Sequence, residues 1–328
     1  MVRNKNRMNK NNCYINPWWL PTAHLQTIYP FVFLRGSAPA YLRRRLDTKD
    51  GDFLDLDWID APRKSPTIII FHGLEGSSQS HYTVALVRSI QAKKWGAVVP
   101  HFRGCSGVPN KLARAYHAGD HKDIEVIIRH IRKITSGPVF AVGISLGGSA
   151  LLNWLARNDL SQRQLLHAAA VVSVPLDLNV TGGLLEKGVN KIYSWFFLKS
   201  LKKKCLIKAN LFKLGPNTNE IRAIKTLREF DDKYTAPVHG FLNVEDYWTR
   251  ASAQQWLTKI QTDTLIIHAR NDPLFPEGDL PVKDKLPKNI RCYYTREGGH
   301  VGFTTGNFPG NINWLPKNIL DYFQEFLF

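Results

Sequence analysis

Gly143-Ile144-Ser145-Leu146-Gly147 is a G-x-S-x-G pentapeptide, entered from Pro138-Val139-Phe140-Ala141-Val142 and left through Gly148-Ser149-Ala150-Leu151-Leu152-Asn153-Trp154-Leu155-Ala156. The run before it reads as a buried strand and the run after it as a helix. That strand–turn–helix context separates a nucleophile elbow from a chance match. An elbow holds its serine in strained backbone angles that expose Oγ, so the flanking residues must be small, and glycines stand at 143 and 147. The helix that starts here also directs its first N–H groups toward any anion that forms beside the serine.

Outward from the elbow, strand-like segments are expected at 53–59, 67–72, 97–102, 138–144, 168–174, 264–268 and 291–294, and helices at 80–93, 119–133, 147–157 and 312–327. Ile68-Ile69-Ile70-Phe71 is continuously apolar, as in a strand buried on both faces of a parallel sheet. The alternation predicts an α/β fold with a mostly parallel, doubly wound sheet. It breaks between about 176 and 262, a stretch rich in Lys and aromatics and too long for a loop. That stretch reads as a mainly helical, cap-like insertion over the strand ends, where such sheets bind ligands. Residues 1–46 read as an arm packing on the core, and 47–328 as a single domain.

A serine hydroxyl needs a base to remove its proton, and the base needs an orienting acid. Asp272 follows the 264–268 strand within Ala269-Arg270-Asn271-Asp272-Pro273, and His300 follows the 291–294 strand within Glu297-Gly298-Gly299-His300-Val301-Gly302. Both lie just past a strand's C-terminal end, the edge where the elbow opens, in the chain order Ser, Asp, His. Asp246 and Asp279 are rivals for the acid. An oxyanion needs two backbone donors. Leu146 N–H follows the nucleophile, and Leu74 N–H lies in the Gly-rich turn His72-Gly73-Leu74-Glu75-Gly76.

These segments, with His24-Leu25-Gln26-Thr27, Phe102-Arg103-Gly104-Cys105-Ser106-Gly107, Tyr116-His117-Ala118-Gly119, Phe230-Asp231, Tyr234-Thr235-Ala236-Pro237, Gly240-Phe241 and Gly299-His300-Val301-Gly302-Phe303, carry a resemblance. The chain resembles the YheT-like branch of the α/β-hydrolases, a family of carboxylesterases and lipid hydrolases. The resemblance extends from residue 24 to residue 303. It implies the α/β-hydrolase fold, with Ser145 as nucleophile, Asp272 as acid and His300 as base. Two departures are visible: Ser149 where the family usually has Asn, and Asn271 where a second Asp is common. Ser149 is expected to act on packing behind the elbow, not on the triad.

Composition narrows the function further. The formal charge is +17, with basic concentrations at residues 3–10, 43–45 and 199–208. Such a surface attracts nucleic acid, anionic membrane or acidic partners. No RRM, KH, zinc-finger or helix-turn-helix signature accompanies it, so nucleic acid is not expected. Residues 192–207 mix Trp195, Phe196, Phe197 and Leu201 with Lys199 and Lys202, Lys203 and Lys204. They read either as a lid helix or as a basic amphipathic helix lying peripherally on an anionic membrane. The cysteines at 13, 105, 205 and 292 have no metal or disulfide spacing. With no apolar signal region, a cytoplasmic location is the expectation. His117 and His121, spaced i, i+4 with Asp120 and Asp123 nearby, match no H-E-x-x-H pattern and read as a polar helix start, not as a metal site. The expected activity is hydrolysis of small-molecule esters with an apolar acyl group, without metal or organic cofactor. A triad-based acyltransferase and a non-catalytic lipid- or partner-binding protein of the same fold are the rivals.

Overall fold

The computed structural model describes residues 13–157, 164–209 and 216–327. The basic tail at residues 3–10 lies outside them. The sheet has eight strands: β1 (Leu42–Asp47), β2 (Phe53–Ile59), β3 (Thr67–Phe71), β4 (Gly96–Pro100), β5 (Val139–Ile144), β6 (Ala168–Val172), β7 (Thr264–Ala269) and β8 (Ile290–Thr295), in the order β1-β2-β4-β3-β5-β6-β7-β8. From β4 to β8 the pairing is parallel, while β2 runs antiparallel to both neighbours. Strands β3, β5, β6 and β7 are buried along their whole length, which requires cover on both faces. Helices α2 (His81–Ala92) and α11 (Trp314–Gln324) pack on one face, and α3 (His121–Ile134) and α4 (Leu146–Ala156) on the other.

Two elements at the start of the chain differ from expectation. Residues 23–33 form a helix, α1 (Ala23–Phe33), and β1 emerges from the stretch read as an arm. Its sequence Leu-Arg-Arg-Arg-Leu-Asp has no apolar alternation, and its register is set by charge. Arg43 lies opposite Asp57 and Arg45 opposite Asp55, each guanidinium paired in a fork with its carboxylate at 2.7–3.0 Å. Arg44 pairs with Asp60 at 2.9 Å. The basic triplet is therefore paired with carboxylates along an exposed sheet edge, where charges also discourage pairing with another chain.

Between β6 and β7 the described residues form six α-helices: α5 (Leu178–Leu185), α6 (Lys191–Ala209), α7 (Thr218–Ala223), α8 (Leu227–Phe230), α9 (Ala236–His239) and α10 (Val244–Ala251). Leu185, Leu198, Ile221, Ile224, Leu227 and Phe230 give several of them an apolar cluster of their own. This layer sits over the C-terminal strand ends, because its side chains share one cavity with the loops that follow β3, β4, β5 and β6.

Candidate active site

Ser145 joins β5 to α4 and has φ 51° and ψ −122°, a conformation that costs an L-residue of order 1–3 kcal/mol and persists only where its surroundings enforce it. Enforcement comes from Ser145 N–H, which donates to Val172 O at 2.8 Å, and from crowding at the flanking glycines. A Cβ at Gly147 would lie 2.3 Å from His72 O, and one at Gly143 would lie 2.6 Å from Gly148 Cα. Behind the elbow, buried Ser149 donates from Oγ to Pro175 O at 3.1 Å, which ties α4 to the end of β6.

The structure brings Ser145, Asp272 and His300 together. His300 Nδ1 lies 2.8 Å from Asp272 Oδ2, and Nε2 lies 3.0 Å from Ser145 Oγ. An ionised Asp272 requires the proton on Nδ1, which leaves the Nε2 lone pair to accept from the Ser145 hydroxyl. The Asp272 carboxylate is fully buried. Burial alone would raise its pKa. The charge of and hydrogen bond from His300, the His268 ring 3.4 Å away and the Leu274 N–H at 2.8 Å together hold it below the ordinary carboxylate value. The fully enclosed His268 is pushed down by burial to about 4, so it is neutral near pH 7. Neither Asp246 nor Asp279 is bonded to His300: Asp246, in the first turn of α10, accepts Leu242 N–H and pairs with Arg250, each at 3.0 Å, and Asp279 lies in a 3-10 turn.

The loop that carries His300 is held by side chains the sequence reading did not single out for this task. Four consecutive backbone N–H groups each donate to a side-chain oxygen from elsewhere: Gly298 to Gln26 Oε1 (2.9 Å), Gly299 to Asn271 Oδ1 (3.1 Å), His300 to Thr27 Oγ1 (2.9 Å) and Val301 to Ser173 Oγ (3.1 Å). Asn271 Nδ2 donates back to Gln26 Oε1 at 2.8 Å, and Gln26 Nε2 donates to Leu20 O at 2.9 Å. This accounts for the His24-Leu25-Gln26-Thr27 motif. Pro30 contributes as well. It has no N–H to give Gln26 O, and the chain at Gly302 closes on that carbonyl, where a Cβ would lie 2.0 Å away. The only advance signal was the motif itself, hundreds of positions from the histidine.

Leu74 N–H and Leu146 N–H, the expected oxyanion donors, have no hydrogen-bond partner among the described residues. Their neighbours do. Gly73 N–H donates to Tyr82 OH at 2.9 Å, and Glu75 N–H donates to Tyr116 OH at 2.8 Å. The Leu74 turn is thus fixed on both sides, with Glu75 at φ 55°. The buried Glu75 carboxylate accepts from Tyr116 OH at 2.8 Å, from Lys204 Nζ of α6 at 2.8 Å and from Ser200 Oγ. His72 beneath it is held neutral, pushed down to about 3 mainly by burial. A cavity of about 610 Å³ opens past Leu74 and Leu146, walled by Leu178, Leu185, Phe230 and Trp248, with Glu75 and Lys204 in its lining.

The remaining candidates have other partners. Asp120 and Asp123 are bound by Arg114 and Arg103, and His117 packs against the rings of His239, Phe241 and Tyr247. The Cys105 thiol is pushed up to about 11 by burial and accepts from Lys204 Nζ at 3.2 Å, which leaves it a poor nucleophile near pH 7.

Comparison with known proteins agrees with this architecture. The alpha/beta hydrolase fold family matches residues 66–306. The protein named putative esterase YheT of Escherichia coli strain K12 is 38% identical over 312 residues, covering 93% of this chain and 91% of that protein. Phospholipase ABHD3 of Mus musculus is 27% identical over 304 residues, covering 89% and 74%. Among solved structures, the Pyrococcus furiosus esterase Pf2001 superposes with a TM-score of 0.57 at 16% identity, over 88% of this chain and 92% of that one, a likeness of fold.

Proposed function

The chain belongs to the YheT-like branch of the α/β-hydrolase family, and from that premise we propose that it is a serine hydrolase cleaving carboxylic esters with an apolar acyl group. The observation that carries the proposal is the chain of contacts Asp272–His300–Ser145, at 2.8 and 3.0 Å, ending on a serine at positive φ. In the proposed reaction Ser145 Oγ attacks the ester carbonyl as His300 Nε2 takes the hydroxyl proton, and Asp272 stabilises the resulting imidazolium. The carbonyl oxygen becomes an oxyanion between Leu74 N–H and Leu146 N–H, which are free to donate. Collapse breaks the C–O bond to the alcohol, which leaves with the proton from His300. Water, deprotonated by His300, then cleaves the acyl-enzyme and restores the serine. The apolar walls of the 610 Å³ cavity suit a hydrocarbon acyl chain, and the names of YheT and the mouse phospholipase support ester or lipid hydrolysis.

Steady-state turnover of p-nitrophenyl esters of graded chain length tests the assignment. Ser145→Ala, His300→Ala and Asp272→Asn should each lose several orders of magnitude in kcat, whereas Asp246→Asn and Asp279→Asn should stay near wild type. Near-wild-type turnover by Ser145→Ala would require another nucleophile, and the reverse pattern among the aspartates would move the acid.

A further inference from the structure

The length of α6 is not a one-sided amphipath. Its inward positions Leu198 and Cys205 join the apolar cluster of the insertion, and two of the lysines expected to face outward are used internally. Lys202 Nζ donates to Arg222 O and Ile224 O, each at 2.7 Å, and Lys204 Nζ donates to Glu75. What α6 leaves uncovered is apolar. Ile192, Trp195 and Phe196 follow the i, i+3, i+4 spacing of one helix face, and Trp195 is 62% exposed. Helix α1 does the same with Leu25, Ile28 and Val32, at i, i+3, i+7.

The two exposed faces belong to one surface. The Phe31 and Phe196 rings meet edge to face at 5.6 Å, and the His24 and Tyr193 side chains are bonded at 3.0 Å. Monomeric proteins rarely expose a contiguous apolar patch this rich in large side chains without a use for it. Charge identifies the use. Neither α1 nor α6 contains an Asp or Glu, while exposed Lys191, Lys199 and Lys203 accompany the apolar residues. Two cations sit directly on the rings: Lys199 Nζ lies 5.3 Å from the Trp195 centroid and Arg35 Cζ 5.6 Å from Phe31. Large aromatic and aliphatic side chains with cations and no anions are the composition that enters an anionic membrane interface. The surface also borders the chemistry, because Thr27, between Leu25 and Ile28, holds the His300 backbone.

We propose that α1 and the N-terminal half of α6 form a docking surface for an anionic phospholipid bilayer. The apolar faces enter the boundary between headgroups and acyl chains while Lys191, Lys199 and Arg35 meet the headgroup phosphates. Among the described residues no helix is long and apolar enough to cross a membrane, so the contact is peripheral. It presents the site to molecules already dissolved in the bilayer.

The test uses full-length Ser145→Ala protein, so that vesicle binding is read independently of turnover. Co-sedimentation with vesicles of phosphatidylcholine, and of an equimolar mixture with phosphatidylglycerol, is measured at low and high salt. The proposal expects binding to the mixed vesicles to be more than tenfold tighter than to neutral ones and to weaken as salt screens the headgroups. Ile192→Asp with Trp195→Asp should reduce binding at least tenfold. Lys191→Glu with Lys199→Glu should reduce it by about fivefold or more per lysine. Since a variant can fail by misfolding, the unsubstituted surface is also read directly: brominated acyl chains should quench tryptophan fluorescence on mixed vesicles. No binding to mixed vesicles, equal binding to both kinds, wild-type binding by both variants or absence of quenching would each overturn the proposal. So would a dimer in light scattering that these substitutions dissolve while vesicles remain unbound, which would assign the face to a second copy of the chain.

Discussion

Thr27 Oγ1 accepts the backbone N–H of His300 at 2.9 Å across 273 positions of sequence, while its own hydroxyl proton goes to Ala23 O at 2.8 Å. One threonine on α1 therefore couples the first helix of the chain to the imidazole that has to face Ser145. Helix α1 acts as a clamp on the histidine loop, and the consequences can be measured.

Thr27→Val removes the acceptor but keeps the shape. The His300 N–H is left without its partner, a loss of about 1–3 kcal/mol, and the ring is free to drift from Ser145. Since a misplacement near 1 Å costs about a hundredfold, kcat should fall roughly ten- to a hundredfold with KM little changed. Thr27→Ser should restore it. A proportional rise in KM with unchanged kcat would place Thr27 in substrate binding instead.

Gln26 is fully buried and satisfies three groups at once: Gly298 N–H, Asn271 Nδ2 and Leu20 O. Gln26→Leu keeps much of the volume and orphans the Gly298 N–H and Asn271 Nδ2 donors, while Leu20 O keeps its bond from Asn16 Nδ2 at 2.9 Å. Chemical denaturation should show a stability loss of about 2–4 kcal/mol. A loss under 0.5 kcal/mol would mean that the loop is held by packing alone.

Lys204 ties the insertion to the turn that carries Leu74. Its ammonium is partly exposed, whereas its partner Glu75 is only 4% exposed, so Lys204→Met strands a buried carboxylate. Breaking a fully buried pair costs about 3–5 kcal/mol, and partial exposure reduces that here to about 2 kcal/mol. Adding Glu75→Gln should recover part of the loss, as a double-mutant cycle would detect. Strict additivity of the two substitutions would contradict the coupling.

Asp231, in the insertion, has its carboxyl pushed up to about 6 by burial, against hydrogen bonds from Trp248 Nε1 and Thr235 Oγ1 that favour ionisation. The folded pKa is above the unfolded value near 3.9. Its contribution to stability is therefore fully present below about pH 4 and is lost as pH rises through about 6. Asp231→Asn should gain stability relative to wild type progressively between pH 4 and pH 7. A difference that does not vary with pH would show that Asp231 titrates normally.

Much of the site was legible because its signals are local. The run 138–156 carries its own strand, turn and helix, and Asp272 and His300 each stand within a few residues of a strand end. The clamp was not legible in the same way. Gln26 and Thr27 reach their partners over more than 240 positions, and no periodicity encodes such a contact. Strand β1 was missed because its pairing rests on Arg43, Arg44 and Arg45 finding Asp57, Asp60 and Asp55 across the ladder, so a run of arginines looked like surface charge. Lys202 and Lys204 misled for a related reason: a lysine in a sequence carries no mark of whether its ammonium faces solvent or a buried acceptor.

The central claim, that Ser145 is the nucleophile of an acyl-transferring triad, is tested most directly by intact-mass analysis after exposure to a fluorophosphonate. Wild-type protein should gain the mass of a single adduct, mapped by peptide sequencing to Ser145, and Ser145→Ala protein should gain none under the same conditions. An unlabelled wild type, or an adduct that persists in Ser145→Ala, would contradict the account.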